Sequence, residues 1–294
     1  MKKTLILGAT YVEILTNTIG EIKANEDFDT SDSIHFVSGG GYQSALMLQK
    51  MDFPYFLGVY LASGDYGKEC QDKAKEMNIA FEVNEEVGGC KYRIINKDTE
   101  TTSFTVAGGE YKYDLDMIEL LDPEEYSGTI IFSEMLVNDD ALVVLAVLAS
   151  MEKPIYFVVD DRIMEVDPDV LGALFELKPT VFIGEKDANI LYADDVMEID
   201  RILDDMYFDA ENDIYLVHHE DGIYHFDGKE RVVMPGNNLD VTRSAIGYVI
   251  ARSANVDKRN ALLYAKEIGE MTLEDIEGDI SNEKDRLIRM ISYK

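Results

Sequence analysis

The sequence predicts a three-layer α/β/α fold, in which helices cover both faces of a mainly parallel β-sheet. Short apolar, β-branched segments alternate along the chain with segments of helical periodicity, and this alternation is typical of βαβ units. The chain has 294 residues, of which 46% are hydrophobic, so it is long enough to bury a large core. We therefore expect a single α/β domain that spans residues 1–294.

The predicted strands and helices follow one another in the order that a parallel sheet requires. The strands are the apolar segments at residues 4–7, 55–59, 129–132, 155–159, 181–184 and 214–217. The helices are the periodic segments at residues 42–51, 66–77, 141–151 and 199–208. In the second helix, Cys70, Ala74 and Met77 recur at helical spacing and form one apolar face.

Two segments, drawn from about residues 11–37 and 88–110, interrupt this alternation. They are rich in β-branched residues but more polar, as in 91-KYRII-95 and 102-TSFTV-106, which flank a predicted turn at 96-NKDTE-100. Because they are too short to fold alone, we expect them to form a small antiparallel sheet at one edge of the domain. Such a sheet serves as a lid over a site or as a dimer surface.

The composition limits the classes of partner. With 58 acidic and 27 basic residues the formal charge is −31, which disfavours nucleic acid and anionic membranes as partners. The two cysteines show no metal-binding spacing, and no apolar segment approaches the length of a membrane span. The first residues also lack the apolar stretch of a secretion signal, so we expect a cytoplasmic protein.

A glycine cluster at 38-SGGGYQSALMLQK-50 is the first motif that points to a ligand. Gly39, Gly40 and Gly41 allow the backbone to approach a ligand closely, although a tight turn explains them equally well. The helix after them would present its first amides to substrate oxygens. A second glycine-containing segment, 63-SGDYG-67, follows and leads into the next helix.

The order of these elements and motifs along the chain resembles that of the ribokinase-like, or PfkB, sugar-kinase family, and the resemblance covers nearly the whole chain. The resemblance implies a substrate site formed by Glu13, Gly39, Gly40, Gln43 and Asp161. Glu13 stands where the family has a substrate-binding Asp, and Gln43 where it usually has Asn. Asp161 lies in 157-FVVDDR-162, which resembles the family's Asp-Pro-Asn-x-Arg segment.

The resemblance also implies ATP and Mg²⁺ as cofactors. Segment 182-FIGEKDANIL-191 resembles the family's Asn-x-x-Glu motif, and Asp187 replaces the Glu that helps to hold the metal. On the nucleotide side, 216-LVHHEDG-222 keeps only Gly222 of the family's pattern, and Asn237 and Asn238 stand where a phosphate-binding nest is expected. Asn tolerates positive φ better than most residues, so these two residues are compatible with a modified nest.

The catalytic base is the least certain part of this resemblance, because 235-PGNNLDVTRSAIG-247 lacks the family's Asp-Thr-x-Gly-Ala-Gly-Asp pattern. Aligning the helix glycine Gly247 puts Thr242 at the base position, where no carboxylate is available. Taking Asp240 as the base puts the nest at residues 237–239. A third register matches Asp240 to the first Asp of the pattern and deletes most of the nest and base.

Two functions remain open on these observations. In the first, the protein is a kinase that transfers phosphate from ATP to a hydroxyl of a sugar, nucleoside or similar small polyol, with Asp240 as base. In the second, it is a catalytically impaired relative that binds a small metabolite, or a structural protein that dimerises through its β lid. The fold is compatible with both.

Overall fold

We describe the fold from a computed structural model, which describes residues 1–18, 29–95, 101–192 and 198–292. The strands, in chain order, are β1 (Lys3–Leu7), β2 (Tyr11–Thr18), β3 (Thr30–Ser38), β4 (Tyr55–Leu57), β5 (Leu61–Ser63), β6 (Val83–Val87), β7 (Cys90–Ile95), β8 (Thr101–Val106), β9 (Tyr126–Phe132), β10 (Ile155–Val158), β11 (Thr180–Gly184), β12 (Ile214–His218), β13 (Gly222–Phe226) and β14 (Arg231–Pro235).

The α-helices, in chain order, are α1 (Gly40–Lys50), α2 (Gly64–Glu76), α3 (Leu115–Ile118), α4 (Ala141–Met151), α5 (Pro168–Glu176), α6 (Glu185–Tyr192), α7 (Ile199–Ala210), α8 (Val241–Ser253), α9 (Lys258–Gly269), α10 (Leu273–Glu277) and α11 (Ser281–Ser292). Short 3₁₀ turns follow β9 at Ser133–Val137 and β10 at Ile163–Glu165. None of the described helices combines the length and the apolar content needed to cross a bilayer.

The main sheet has eight strands in the order β14-β13-β12-β11-β10-β9-β1-β4. The strands from β4 to β12 are parallel, and β13 and β14 extend the sheet as an antiparallel hairpin. All six predicted strands and all four predicted helices are present, with bounds that differ by a few residues. The predicted fold class is therefore confirmed.

Successive residues of the buried strands face opposite sides of the main sheet. Ile6 belongs to the core that contains residues of α1, α8 and α9, whereas its neighbours Leu5 and Leu7 belong to the core that contains residues of α4, α5 and α7. The same division recurs in β9, where Ile130 and Ile131 belong to different cores. Both faces of the strands are buried, which accounts for their continuous apolar sequences.

The lid strands form a separate four-stranded sheet in the order β3-β2-β7-β8. The prediction of a purely antiparallel sheet is wrong, because its central strands β2 and β7 are parallel. They lie on either side of α1 and α2 in the chain, and a connection of that length lets β7 return in the same direction as β2. The predicted turn at 96–100 lies outside the described residues.

Candidate functional site

A cleft of about 550 Å³ lies between the lid sheet, the ends of β9 and β10, and the first turns of α1, α6 and α8. Ligand sites in open α/β folds form at the carboxyl ends of parallel strands, and this cleft has that position. Seven of the ten predicted site residues line it: Glu13, Gly39, Gly40, Gln43, Asp161, Asp187 and Asp240. They come from five separate segments of the chain.

The other three predicted residues, Gly222, Asn237 and Asn238, lie outside the cleft. Gly222 pairs with Pro235 in the β13–β14 hairpin and has a φ of 137°. A Cβ atom there would lie 2.2 Å from the carbonyl oxygen of Met234, so the hairpin itself requires glycine. The structure thus gives this glycine a role in the sheet.

The glycine cluster brings the start of α1 against the end of β1. Gly39 has a φ of 104°, and a Cβ atom on it would lie 2.3 Å from the carbonyl oxygen of Ala9. The amide of Gly41 donates a 2.9 Å hydrogen bond to that same carbonyl oxygen. At Gly40 a Cβ atom would lie 2.4 Å from the ring of Phe132. These glycines are required for packing, and that packing also places Gly39 and Gly40 at the cleft.

Asp240 is the N-cap residue of α8 and lies at the helix start rather than in β14. Its Oδ1 atom accepts a 2.9 Å hydrogen bond from the amide of Arg243, and its Oδ2 atom lies 3.4 Å from the Arg243 guanidinium. Thr242 is in the first turn of the same helix and also lines the cleft. The carboxylate therefore reaches the cleft, with one oxygen engaged in capping the helix.

The loop before α8 does not provide a phosphate-binding nest. Four of its amides donate to acceptors of the chain itself: Gly236 to the Asp221 carbonyl oxygen, Asn237 to Glu270 Oε1, Leu239 to the His219 carbonyl oxygen and Asp240 to the Gly269 carbonyl oxygen, at 3.0–3.3 Å. A nest needs several free N–H groups that converge on one anion. The residues of this loop do not fit a nucleotide phosphate.

Two ion pairs connect lid strand β7 to the cleft. Lys91 Nζ lies 2.8 Å from Asp161, which follows β10, and 5.7 Å from the centre of the Tyr11 ring. Arg93 Nε lies 3.1 Å from Glu13 Oε1, and the Glu13 side chain is only 5% exposed. Both predicted substrate carboxylates are thus paired with lid cations, which offset the desolvation that a buried charge suffers.

Glu134, in the 3₁₀ turn after β9, is a cleft residue that sequence reasoning missed. Burial, and then the negative charge of Asp160, raise the pKa of Glu134 to about 8. Its Oε1 atom accepts a 2.9 Å hydrogen bond from the amide of Ala9. Glu134 lies two residues beyond the predicted strand 129–132, at the carboxyl end of a parallel strand, where ligands bind in such folds. This position in the sequence could have identified it as a candidate.

Asp187 has the features expected of a residue that binds a cation or a hydroxyl. Its Oδ1 atom is buried and has no hydrogen-bond partner, and its pKa is raised to about 6 by burial and by the charges of Asp160 and Asp161. An orphaned carboxylate oxygen fits a Mg²⁺ ion, which usually takes one or two protein carboxylates together with phosphates and waters. Within the described ranges, no group of three or more His, Cys, Asp or Glu side chains is placed to hold a metal.

Fold and cleft together define a protein of the ribokinase-like fold. No protein-family model matches the chain, and no curated protein sequence matches it. Solved structures do match over almost its whole length. Ribokinase from Giardia lamblia superposes with a TM-score of 0.78 at 11% identity, covering 98% of each chain.

Two further structures extend this likeness. Arabidopsis thaliana ribokinase, solved with ribose and ATP, has a TM-score of 0.74 at 13% identity and covers 100% of this chain and 99% of its own. The Methanocaldococcus jannaschii nucleoside kinase has a TM-score of 0.68 at 14% identity, with the same coverage. At these identities the likeness is one of fold.

Proposed function

We propose that this protein binds a small polyol, such as a sugar or nucleoside, in the cleft beneath the lid sheet. The observation that carries the proposal is that Glu13, Gly40, Gln43 and Asp161, which come from three separate segments of the chain, line one cleft. Carboxylates accept hydrogen bonds from vicinal hydroxyls, and a side-chain amide both donates and accepts. A cavity of this size is in the usual range for small-molecule sites.

We propose further that binding, rather than phosphoryl transfer from ATP, is the principal function. Phosphoryl transfer depends on preorganised donors that stabilise charge on the transferred group. The amides of the loop before α8 donate to internal acceptors, and the Glu270 carboxylate takes the position of an anion at the Asn237 amide. The loop would have to break these hydrogen bonds before it could hold a phosphate.

Transfer of phosphate from ATP to the polyol is the second candidate, and the position of Asp240 favours it. Its carboxylate lines the same cleft as the proposed polyol residues, so it could accept a proton from a bound hydroxyl. Asp187 would hold Mg²⁺, which supplies positive charge against the phosphates. In this reading Asp240 is the catalytic base and Asp187 the metal ligand.

The experiment that separates the two candidates is isothermal titration of the full chain with a panel of sugars, polyols and nucleosides. Each ligand is tested with and without ATP–Mg²⁺, and ADP formation is followed in parallel. We expect at least one class of polyol to bind, and we expect Glu13→Gln to weaken that binding by about tenfold, since one charge-assisted hydrogen bond contributes roughly 1.5–3 kcal/mol.

The matched control is Asp240→Asn. If the protein only binds the polyol, no ADP forms above background in either variant. ADP formation that requires the polyol and is lost in Asp240→Asn would establish the kinase candidate instead. If no polyol or nucleoside binds at all, the proposed function is wrong.

We also propose that the lid sheet forms a homodimer contact. Its edge strand β8 exposes Phe104 and Val106, at 48% and 52% of their surface, and Ile34 on the opposite edge strand is 57% exposed. Exposed apolar side chains beside an open strand edge favour association. Sedimentation velocity should show a dimer, and Phe104→Glu should convert it to a monomer.

A further inference from the structure

Arg243 is a cationic side chain in the cleft that neither the sequence comparison nor the polyol site accounts for. It lies in the first turn of α8, and its side chain is only 17% exposed. A guanidinium carries five N–H donors and stays charged at any physiological pH. A cation buried to this extent requires acceptors for those donors.

The structure gives Arg243 too few acceptors. Its Nε atom is buried and has no hydrogen-bond partner. Its two terminal nitrogens make only long contacts, at 3.5 Å to Gln43 Oε1 and at 3.4 Å to Asp240 Oδ2. Charge-assisted N–H···O bonds are normally about 2.7–2.9 Å long. A ligand with two acceptor atoms that bind Nε and one terminal nitrogen together would satisfy these donors of the guanidinium.

The two cations that the lid contributes to the cleft already have carboxylate partners. Lys91 is paired with Asp161, and Arg93 is paired with Glu13. Asp240 already has Oδ1 fixed by the α8 amide, so its Oδ2 atom can part from the guanidinium while the helix cap stays intact. Lys186 also lines the cleft, but it is exposed and can be hydrated. Among the described residues, Arg243 is therefore the largely buried cation of the cleft whose side-chain donors lack acceptors.

We propose that Arg243 forms an oxyanion-binding subsite beside Asp240, and that the ligand of the cleft presents a phosphate group to it. This inference rests on the proposed function in that the cleft is taken to bind a small ligand, and it adds the class: a phosphate-bearing one. Two sources share this chemistry, a phosphate monoester on the polyol and the terminal phosphate of a nucleotide. The guanidinium fork matches two oxygens of either.

The test is a titration with inorganic phosphate at low ionic strength, followed by ³¹P NMR line broadening, for wild type, Arg243→Met, Arg243→Lys and Arg93→Met. Arg93→Met is the matched control, because it removes one positive charge from the same cleft at a paired residue. We expect saturable phosphate binding that is weakened about tenfold or more by Arg243→Met, partly restored by Arg243→Lys, and changed little by Arg93→Met.

Two further arms identify the source of the phosphate. Ribose 5-phosphate is compared with ribose, and ATP with adenosine, in wild type and Arg243→Met. A gain from the phosphate that disappears in Arg243→Met supports the subsite and names its source. Absence of phosphate binding in wild type, or equal loss in Arg243→Met and Arg93→Met, overturns the subsite. The polyol proposal fails on a different result, which is that neutral polyols and nucleosides do not bind. Circular dichroism checks that each variant is folded.

Discussion

Replacement of Asp161 by Ala should destabilise the protein more than replacement of its partner Lys91 by Met. The two side chains form an ion pair in which both carboxylate oxygens lie 2.8 Å from Lys91 Nζ. Asp161→Ala leaves an ammonium whose side chain is only 7% exposed, and the Tyr11 ring and the more distant charges of Glu134 and Asp187 are then its remaining partners. Lys91→Met leaves a carboxylate that is 33% exposed and can be hydrated.

The magnitudes follow from this asymmetry. Removal of one partner of a buried ion pair costs about 3–5 kcal/mol. We expect about 3 kcal/mol for Asp161→Ala, because the loss of this charge also relieves repulsion with Glu134 and Asp187. We expect about 1 kcal/mol for Lys91→Met, because Met keeps most of the volume and the remaining charge is partly screened by solvent.

Urea unfolding of the two single variants and the double variant completes a double-mutant cycle. The double variant should be about as stable as Lys91→Met alone, since it contains no unpaired buried charge. The coupling energy should then be about 3 kcal/mol. If Asp161→Ala costs less than Lys91→Met, or if the two effects add, the ion pair does not hold the lid strand in the way described.

Three further predictions concern stability. Gly41→Ala places a Cβ atom 2.0 Å from the Gly8 carbonyl oxygen and should lower the free energy of unfolding by about 2 kcal/mol or more. Gly172→Ala, in α5, places a Cβ atom with no other atom within 4 Å and should raise the free energy of unfolding by up to about 1 kcal/mol. Equal urea midpoints for the two variants would contradict this. The pKa of Asp187 is raised from 3.8 to about 6, so the folded state binds the extra proton and wild-type stability falls as the pH rises between these values. Asp187→Asn should therefore be no more stable than wild type near pH 4 but more stable by about 1–2 kcal/mol at pH 7, and a gain independent of pH in urea titrations would refute the assignment. Burial alone would raise the pKa of Asp213, but hydrogen bonds from His225 and Lys258 lower it, so its contribution is present at neutral pH and is lost as the pH falls through the folded-state pKa. Asp213→Asn should destabilise at pH 7 and converge with wild type in acid, and a deficit that persists in acid would exclude this cause.

The main sheet was predictable because its strands are buried on both faces and read as continuous apolar segments. Strand β13 and its antiparallel pairing with β12 and β14 were not predicted. The direction of β7 relative to β2 was also beyond the local sequence. Alternating residues predict that a strand exists but do not specify its neighbour.

Some residues of the candidate site could also be predicted from the sequence, and others could not. The predicted substrate-side residues all line the cleft. Apart from Glu13, which lies within β2, they follow a strand end or lie at the start of a helix, positions that sequence patterns indicate. The hydrogen-bond partners of the loop before α8 could not be predicted, because they are distant in the sequence. Glu270, which accepts from Asn237, is 33 residues away, and its contact depends on how α9 packs beside α8. Arg243 was not among the residues selected from the sequence, and only the packing of α8 shows that its side chain is largely buried.

Amide NMR spectra of the ¹⁵N-labelled, deuterated protein test the central claim most directly, namely that the loop before α8 does not bind phosphate. ATP–Mg²⁺ and a binding polyol are titrated separately while the signals of Gly236, Asn237, Leu239 and Asp240 are followed. We predict that the polyol shifts the amides of Gly39 and Gly40, and that ATP–Mg²⁺ leaves the four loop amides unshifted, because they keep their internal acceptors. Large, saturable downfield shifts of those four amides with ATP–Mg²⁺ would contradict the account and establish a nucleotide site at the loop.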